Sequence, residues 1–412
     1  MNAALDDSAL SFDRLWSALL PIGRTPSGGY RRFAWNAADL EARAWFVDAA
    51  AARGLDVQTD RNGNLWAWWL PPTWSGEPRG AFVTGSHLDS VPDGGGYDGP
   101  LGVISALCAI DLLRARGVQP VKPVAVVVFA DEEGARFGVA CTGSRLATGA
   151  LSPDLARSLT DTDGVTLDAA MQRAGFDARH LGRDDESLAR VGVFVELHIE
   201  QGRALVDLGA PVGIATGIWP HGRWRFSFDG EANHAGTTRL VDRRDPMLPF
   251  AAAALAARDE AEKHGGVATV GRVHVVPNGT NAVPSSVTCW LDARAPDQGT
   301  VDAVVRGVEE QARARADAEG VGLVVAAESV SPAVEFSAAV GAAMHATLGG
   351  VPDLGTGAGH DAGVLATSVA TGMLFVRNPT GVSHSPEEFA ERADCLAGVA
   401  ALAAVMADWT AT

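Results

Sequence analysis

The chain has 412 residues, 47% of them hydrophobic and 20% charged, without low-complexity tracts, so a folded globular protein of two domains is expected. Fifty acidic residues against 33 basic give a formal net charge of −17, a field that repels phosphates and anionic lipid; nucleic acid and membrane are excluded as expected partners. Apolar runs such as 124–130 and 251–257 fall short of the roughly 20 residues that span a bilayer, and the first residues carry Asp6 and Asp7 rather than a basic and then an apolar segment, which reads as cytoplasmic.

In chain order, residues 81–85 (AFVTG) and 124–130 (VAVVVFA) are short, almost continuous apolar runs, the pattern of parallel strands covered on both faces. Between them, residues 100–116 read as a helix. Strand, helix and strand in this order predict a doubly wound α/β layer whose ligands bind beyond the carboxyl ends of the strands. Polar residues stand at those ends: His87 after one run, and Asp131, Glu132 and Glu133 after the other. Around 193–200, alternation turns Val193, Val195, Leu197 and Ile199 to one face and Glu196, His198 and Glu200 to the other.

From about residue 213 the pattern changes to strand 224–228, helix 246–263, strands 267–276 and 287–293, helix 301–318 and strand 321–327. That βαββαβ order is the ferredoxin-like unit. On the 287–295 strand, Val287, Cys289, Leu291 and Ala293 face inward, while Trp290, Asp292 and Arg294 share the outer face. The α/β character returns with a helix near 338–348, a strand at 373–377 and a last helix from 389 to 409. The fold class is therefore α/β, with residues 1–212 and 329–412 forming one domain and 213–328 a small domain inserted into it.

Five residues have metal-ligand chemistry: His87 and Asp98 in GSHLDSVPDGGGYDG, Glu133 in DEEGARFG, His198 in VELHIEQG and His384 in GVSHSP. Imidazole and carboxylate without thiolate suit zinc, manganese, cobalt or nickel, and a carboxylate such as Asp98 can bridge two ions. Asp89, two residues after His87, is placed to accept that ring's second proton. Glu132, beside Glu133, is placed to take a proton from water and return it to a leaving nitrogen. The four cysteines, Cys108, Cys141, Cys289 and Cys395, are scattered among apolar or small residues and read as packed thiols.

Bland readings stand beside these. A single histidine is most simply a satisfied, partly buried side chain, and the Gly94–Gly96 run lacks the spacing of a phosphate cradle. Thr237 and Thr238 read equally as helix caps. Arg294 has a surface ion pair with Asp292 as its alternative. His360 and Asp361 are read as bracing the site.

In their order, GSHLDSVPDGGGYDG, EEGARFG, HIEQG, HAGTT, PNGTNAVP, LDAR, GAGHDAG and GVSHSP resemble the landmarks of the M20 metallopeptidase superfamily, specifically its hydantoinase/carbamoylase branch, over nearly the whole chain. The resemblance implies two divalent metal ions, zinc first. One would be held by His87, Asp98 and His198, the other by Asp98, Glu133 and His384, with Glu132 as general base. It further implies that Gln201, Asn281 and Arg294 bind a small ureido acid, and that His234 of HAGTT reaches a neighbouring subunit's site to stabilise an oxyanion. The small domain would then be a dimerising lid of a homodimer.

The implied activity is cleavage of the carbamoyl group from an N-carbamoyl-L-amino acid, allantoate or 3-ureidopropionate. An M20-type peptidase or aminoacylase, and a catalytically silent metal-binding protein, are the alternatives. Arg239 and the WPHGR stretch 219–223 depart from the branch's usual pattern, which bears on lid closure and substrate fit but not on the five donors.

Overall fold

The computed structural model describes residues 2–411, with side chains from Ser8 onward. The chain falls into two compact units. The first comprises Met1–Thr216, Glu335–Leu354 and Gly359–Thr412, the second Gly217–Val334 and Gly355–Ala358.

In the first unit a mixed sheet runs in the order Asp56–Thr59, Leu65–Trp69, Val124–Phe129, Ala81–His87, Val191–Ile199, Thr371–Val376 and Val212–Ile218. Its central strands, from Val124–Phe129 to Thr371–Val376, are all parallel. The flanking strands Leu65–Trp69 and Val212–Ile218 run antiparallel to their neighbours. Every residue of Ala81–His87 and of Val124–Phe129 is buried, as strands covered on both faces must be. The helix Pro100–Ala115 contributes Leu101, Ile104, Leu107 and Ile110 to the same core, each such side chain stabilising the fold by roughly 1.5–3 kcal/mol relative to exposure.

The sequence reading passes over the strand Leu65–Trp69, whose run LWAWW is buried throughout and does not alternate. It starts the last helix at Phe389, whereas the helix spans Arg392–Ala411. That helix is long and apolar enough to cross a membrane by length and composition alone. It nevertheless buries Cys395, Val399, Leu402 and Met406 in the core. All four cysteines are buried free thiols.

The second unit contains an antiparallel sheet ordered Gly322–Ser331, His221–Asp229, Ser286–Arg294, Val267–Val276. With the helices Met247–His264 and Gln298–Glu319 this is the ferredoxin-like arrangement. Strict alternation of buried and half-buried residues along Ser286–Arg294 sends Val287, Cys289, Leu291 and Ala293 into a core with Phe226, Phe228, Val304 and Val308. A short ribbon pairs Asn233–His234 with Ala282–Val283.

Candidate active site

The parallel strands of the first unit end, at their carboxyl termini, on the residues with ligand chemistry. His87 is the last residue of its strand, Asp131 to Glu133 follow Val124–Phe129, His198 is the penultimate residue of Val191–Ile199, and the loop bearing His384 follows Thr371–Val376. A positive φ of 57° at Asp131 turns the chain sharply after its strand, and another of 56° occurs at His384. Non-glycine residues adopt this left-handed backbone uncommonly, and it clusters at functional sites.

His87 donates its Nδ1 proton to the Asp89 carbonyl oxygen at 3.1 Å, and His198 donates its own to the Ile199 carbonyl at 2.8 Å. A carbonyl can only accept, so Nδ1 carries a proton in both rings, and each Nε2 is the atom turned to Asp98, a donor while the ring is charged and a lone pair once it is neutral. Those two Nε2 atoms are buried without a hydrogen-bond partner, although Asp98 Oδ1 lies 3.4 Å from one and 3.2 Å from the other. Neutral rings would set two lone pairs against a carboxylate in a buried site, so the cluster calls for positive charge, either as protons on the rings or as a cation among them. The donor set therefore fits a divalent metal.

Among the described residues three groups meet the geometric requirement of a metal site; one of them, Glu196, His198 and His360, shares His198 with the first of the two that follow. His87, Asp98 and His198 each offer a ligand atom within 4.8 Å of the others, and so do Asp98, Glu133 and His384. Asp98 is common to both. From His384 Nε2 it is 3.5 Å to Asp98 Oδ2 and 3.8 Å to Glu133 Oε2. Burial works against the Asp98 anion, but His198, His384 and His87 hold its pKa well below the usual carboxylate range. Burial pushes the Glu133 carboxyl up to about 7 and that of Glu132 well above its ordinary value. Glu132 Oε2 is 3.7 Å from His87 Nε2, and Glu132 Oε1 accepts the Cys141 thiol at 3.3 Å.

Gly99 closes against the first group. Its φ is +83°, and a Cβ there would lie 2.5 Å from the His87 ring, so only glycine lets the chain pass this close to the imidazole.

Asp89 differs from expectation. Its carboxylate stays 3.7 Å from His87 Nδ1 and instead accepts the backbone N–H groups of Glu132 (3.1 Å) and Glu133 (3.0 Å). It thus supports the turn that presents both glutamates, while its carbonyl orients the histidine. Gln201 donates its amide N–H to Asp98 Oδ2 at 2.8 Å and keeps a buried, unpaired Oε1.

His360, read as a brace, packs its ring 4.5 Å from that of His198 and is fully buried. The neighbouring Asp361 accepts the Ser144 hydroxyl. Sequence reasoning missed Glu388, whose Oε1 accepts the N–H groups of Tyr97 and Asp98 at 2.9 Å each, and whose pKa burial raises to about 7.

In the second unit the polar residues are committed to local partners. The Arg294 guanidinium is forked on Asp292 at 2.8 and 3.1 Å and donates from Nη1 to the Gly357 carbonyl at 2.6 Å, so the ion pair read as its alternative is formed. The shared outer face that puts these residues two apart also brings them into contact. Of five N–H groups, two remain. Cross-strand from Arg294 lies His221 of the WPHGR stretch, its pKa lowered by burial.

His234 is exposed, and its Nδ1 accepts the N–H groups of Gly236 at 3.0 Å and Thr237 at 3.2 Å. The ring proton is therefore on Nε2, which is left as an outward donor. Asn281, also exposed, accepts the Ala235 N–H with its backbone carbonyl. Thr238 bonds the Asn233 side chain rather than capping a helix, and Arg239 pairs with Asp242 at 2.6 and 2.9 Å.

The sequence signature of peptidase family M20/M25/M40 matches residues 83–408. The N-carbamoyl-L-amino acid amidohydrolase of Geobacillus stearothermophilus is 38% identical over 95% of this chain and 96% of its own. The allantoate amidohydrolase of Escherichia coli is 32% identical over 94% and 95%. Among solved structures, a hydantoinase/carbamoylase family amidase from Burkholderia multivorans matches with a TM-score of 0.85 at 30% identity, covering 97% of this chain and 98% of that one.

Proposed function

Because the chain belongs to peptidase family M20/M25/M40, in its hydantoinase/carbamoylase branch, we propose that it hydrolyses the carbamoyl C–N bond of a small ureido acid. The observation that carries the reading is the pair of buried, unpartnered imidazole Nε2 atoms facing one carboxylate of Asp98, beside the buried Glu132. In this reading His87, Asp98 and His198 hold one divalent ion, and Asp98, Glu133 and His384 hold a second. Zinc is the first choice, since histidine and carboxylate donors suit it, with manganese, cobalt and nickel as the others. When bound, two such ions polarise the ureido carbonyl and lower the pKa of a water.

The chain's own residues do the rest. Glu132 removes a proton from the attacking water and hands it to the departing nitrogen. The two unused N–H groups of Arg294 and the amides of Asn281 and Gln201 take the substrate's carboxylate and ureido group, with Asp292 and Gly357 fixing the arginine's orientation. His234 reaches a neighbouring subunit's site and donates its Nε2–H to the oxyanion developing there. Hydrolysis releases carbamate, which breaks down to ammonia and carbon dioxide, and leaves the amino acid.

A homodimer belongs to the same reading. Leu240 and Val241, just after the His234 loop, are 80% and 84% exposed, adjacent apolar side chains suited to a second copy of the chain. The deciding assay is ammonia release from N-carbamoyl-L-amino acids, allantoate and 3-ureidopropionate, run separately with zinc, manganese, cobalt and nickel. Release from at least one of them is expected; hydrolysis of N-acyl amino acids or peptides with no ammonia from any ureido acid would move the chain to the peptidase reading.

A further inference from the structure

Resting on the two-ion reading above, we propose that Glu388 is a positioning residue that registers the His384 loop against the Asp98 loop and thereby builds the second metal site. Glu388 is 5% exposed, and its Oε1 receives the N–H groups of both Tyr97 and Asp98, nearly 300 residues away along the chain. A Cβ at Gly95 would lie 2.4 Å from Glu388 Cβ, so the GGGYDG loop wraps directly around this side chain. Tyr97 adds a second tie, with its ring edge-to-face on Phe389 at 6.1 Å.

The need for such a tie follows from where the donors sit. His87 and His198 stand on central strands of the sheet, whose ladders fix them. His384 stands in a loop outside helix and strand, with its side chain 51% exposed, and the Asn378 side chain closes only the local turn at 378–382. A carboxyl oxygen that accepts two backbone N–H groups satisfies two donors of the Asp98 loop at once and so links the two loops. It lies four residues from His384 on one side and reaches Asp98 itself on the other. Removing it should loosen the Asp98, Glu133 and His384 group more than the His87, Asp98 and His198 group, because the strand ladders still hold His87 and His198.

The test uses the full-length protein stripped with chelator. Zinc is titrated back calorimetrically into wild type, Glu388→Ala and Glu388→Gln, and backbone deuterium exchange is followed in residues 94–101 and 378–388. In Glu388→Ala the weaker zinc equivalent should lose roughly 10- to 100-fold in affinity, the range typical of residues that orient ligands, while the tighter equivalent changes far less. Exchange should rise in both loops and stay unchanged in the central strands. Glu388→Gln should recover most of the affinity, because an amide oxygen still accepts both N–H groups.

Two zinc equivalents at wild-type affinity in Glu388→Ala, or a Glu388→Gln variant as impaired as the alanine, would overturn the proposal. If the wild type itself binds no zinc, the two-ion reading falls, and the exchange comparison alone then decides whether Glu388 clamps the two loops.

Discussion

The two units hold their polar side chains in opposite ways. In the first, donors are buried and incompletely satisfied: His87 Nε2 and His198 Nε2 have no partner, and neither do Gln201 Oε1 and Glu388 Oε2. In the second, polar groups are exposed or half-exposed and tied to neighbours, Arg294 to Asp292, His234 to its own loop and Arg239 to Asp242. A buried polar atom without a partner costs about 1–3 kcal/mol, so a fold retains a cluster of them only where something else completes it. Exposed pairs cost little and can exchange partners. The first unit is accordingly built around chemistry, the second around contacts that can be remade.

The sharpest way to break this contrast is Glu132→Gln. It should lower kcat by roughly 10²- to 10⁴-fold, the usual contribution of general acid–base catalysis, with metal content unchanged by elemental analysis. Near wild-type turnover in a metal-replete sample would remove the base from the scheme. Gly99→Ala comes next, since it pushes a Cβ against the His87 ring at a positive φ. A cost of about 1–3 kcal/mol in denaturant unfolding is expected, together with weaker metal binding. An alanine variant of unaltered stability would mean that this close approach is not needed.

In the second unit, Arg294→Lys should raise KM for ureido acids by about tenfold, near 1.4 kcal/mol, with little change in kcat, because a lysine cannot hold Asp292 in a fork and offer a second one. An unchanged KM would place the acid elsewhere. Leu240→Glu with Val241→Glu should be the mildest for the fold, within about 0.5 kcal/mol per exposed substitution, yet should halve the mass measured by light scattering if the exposed patch joins two copies. A mass unaffected by these charges would locate any self-association on another surface.

Much of the first unit was legible because its physics writes itself into composition. Strands buried on both faces read as unbroken apolar runs, and the residues just past them, His87 and Asp131 to Glu133, stand out as polar breaks. Alternation was enough to turn His198 away from the Val193, Val195 and Leu197 face. What alternation cannot give is a partner. It put Arg294 on an outer face with Asp292 and left their ion pair as one of two readings, without the Gly357 carbonyl that also holds the guanidinium.

Backbone groups were equally invisible. The His87 proton goes to the carbonyl of Asp89, and the carboxylate of that residue serves two amides elsewhere. Glu388 escaped notice since a Pro-Glu-Glu run before a helix looks like an ordinary solvated start. Only the fold, by bringing the GGGYDG loop around it, gives that glutamate its task.

The carbonyl that orients His198 belongs to the main chain at position 199, and every amino acid supplies an identical one there. Mutational drift at that position can therefore alter bulk and packing yet cannot erase the instruction specifying which ring nitrogen stays bare. An essential choice of tautomer is entrusted to the one part of the polymer that genetic substitution leaves untouched.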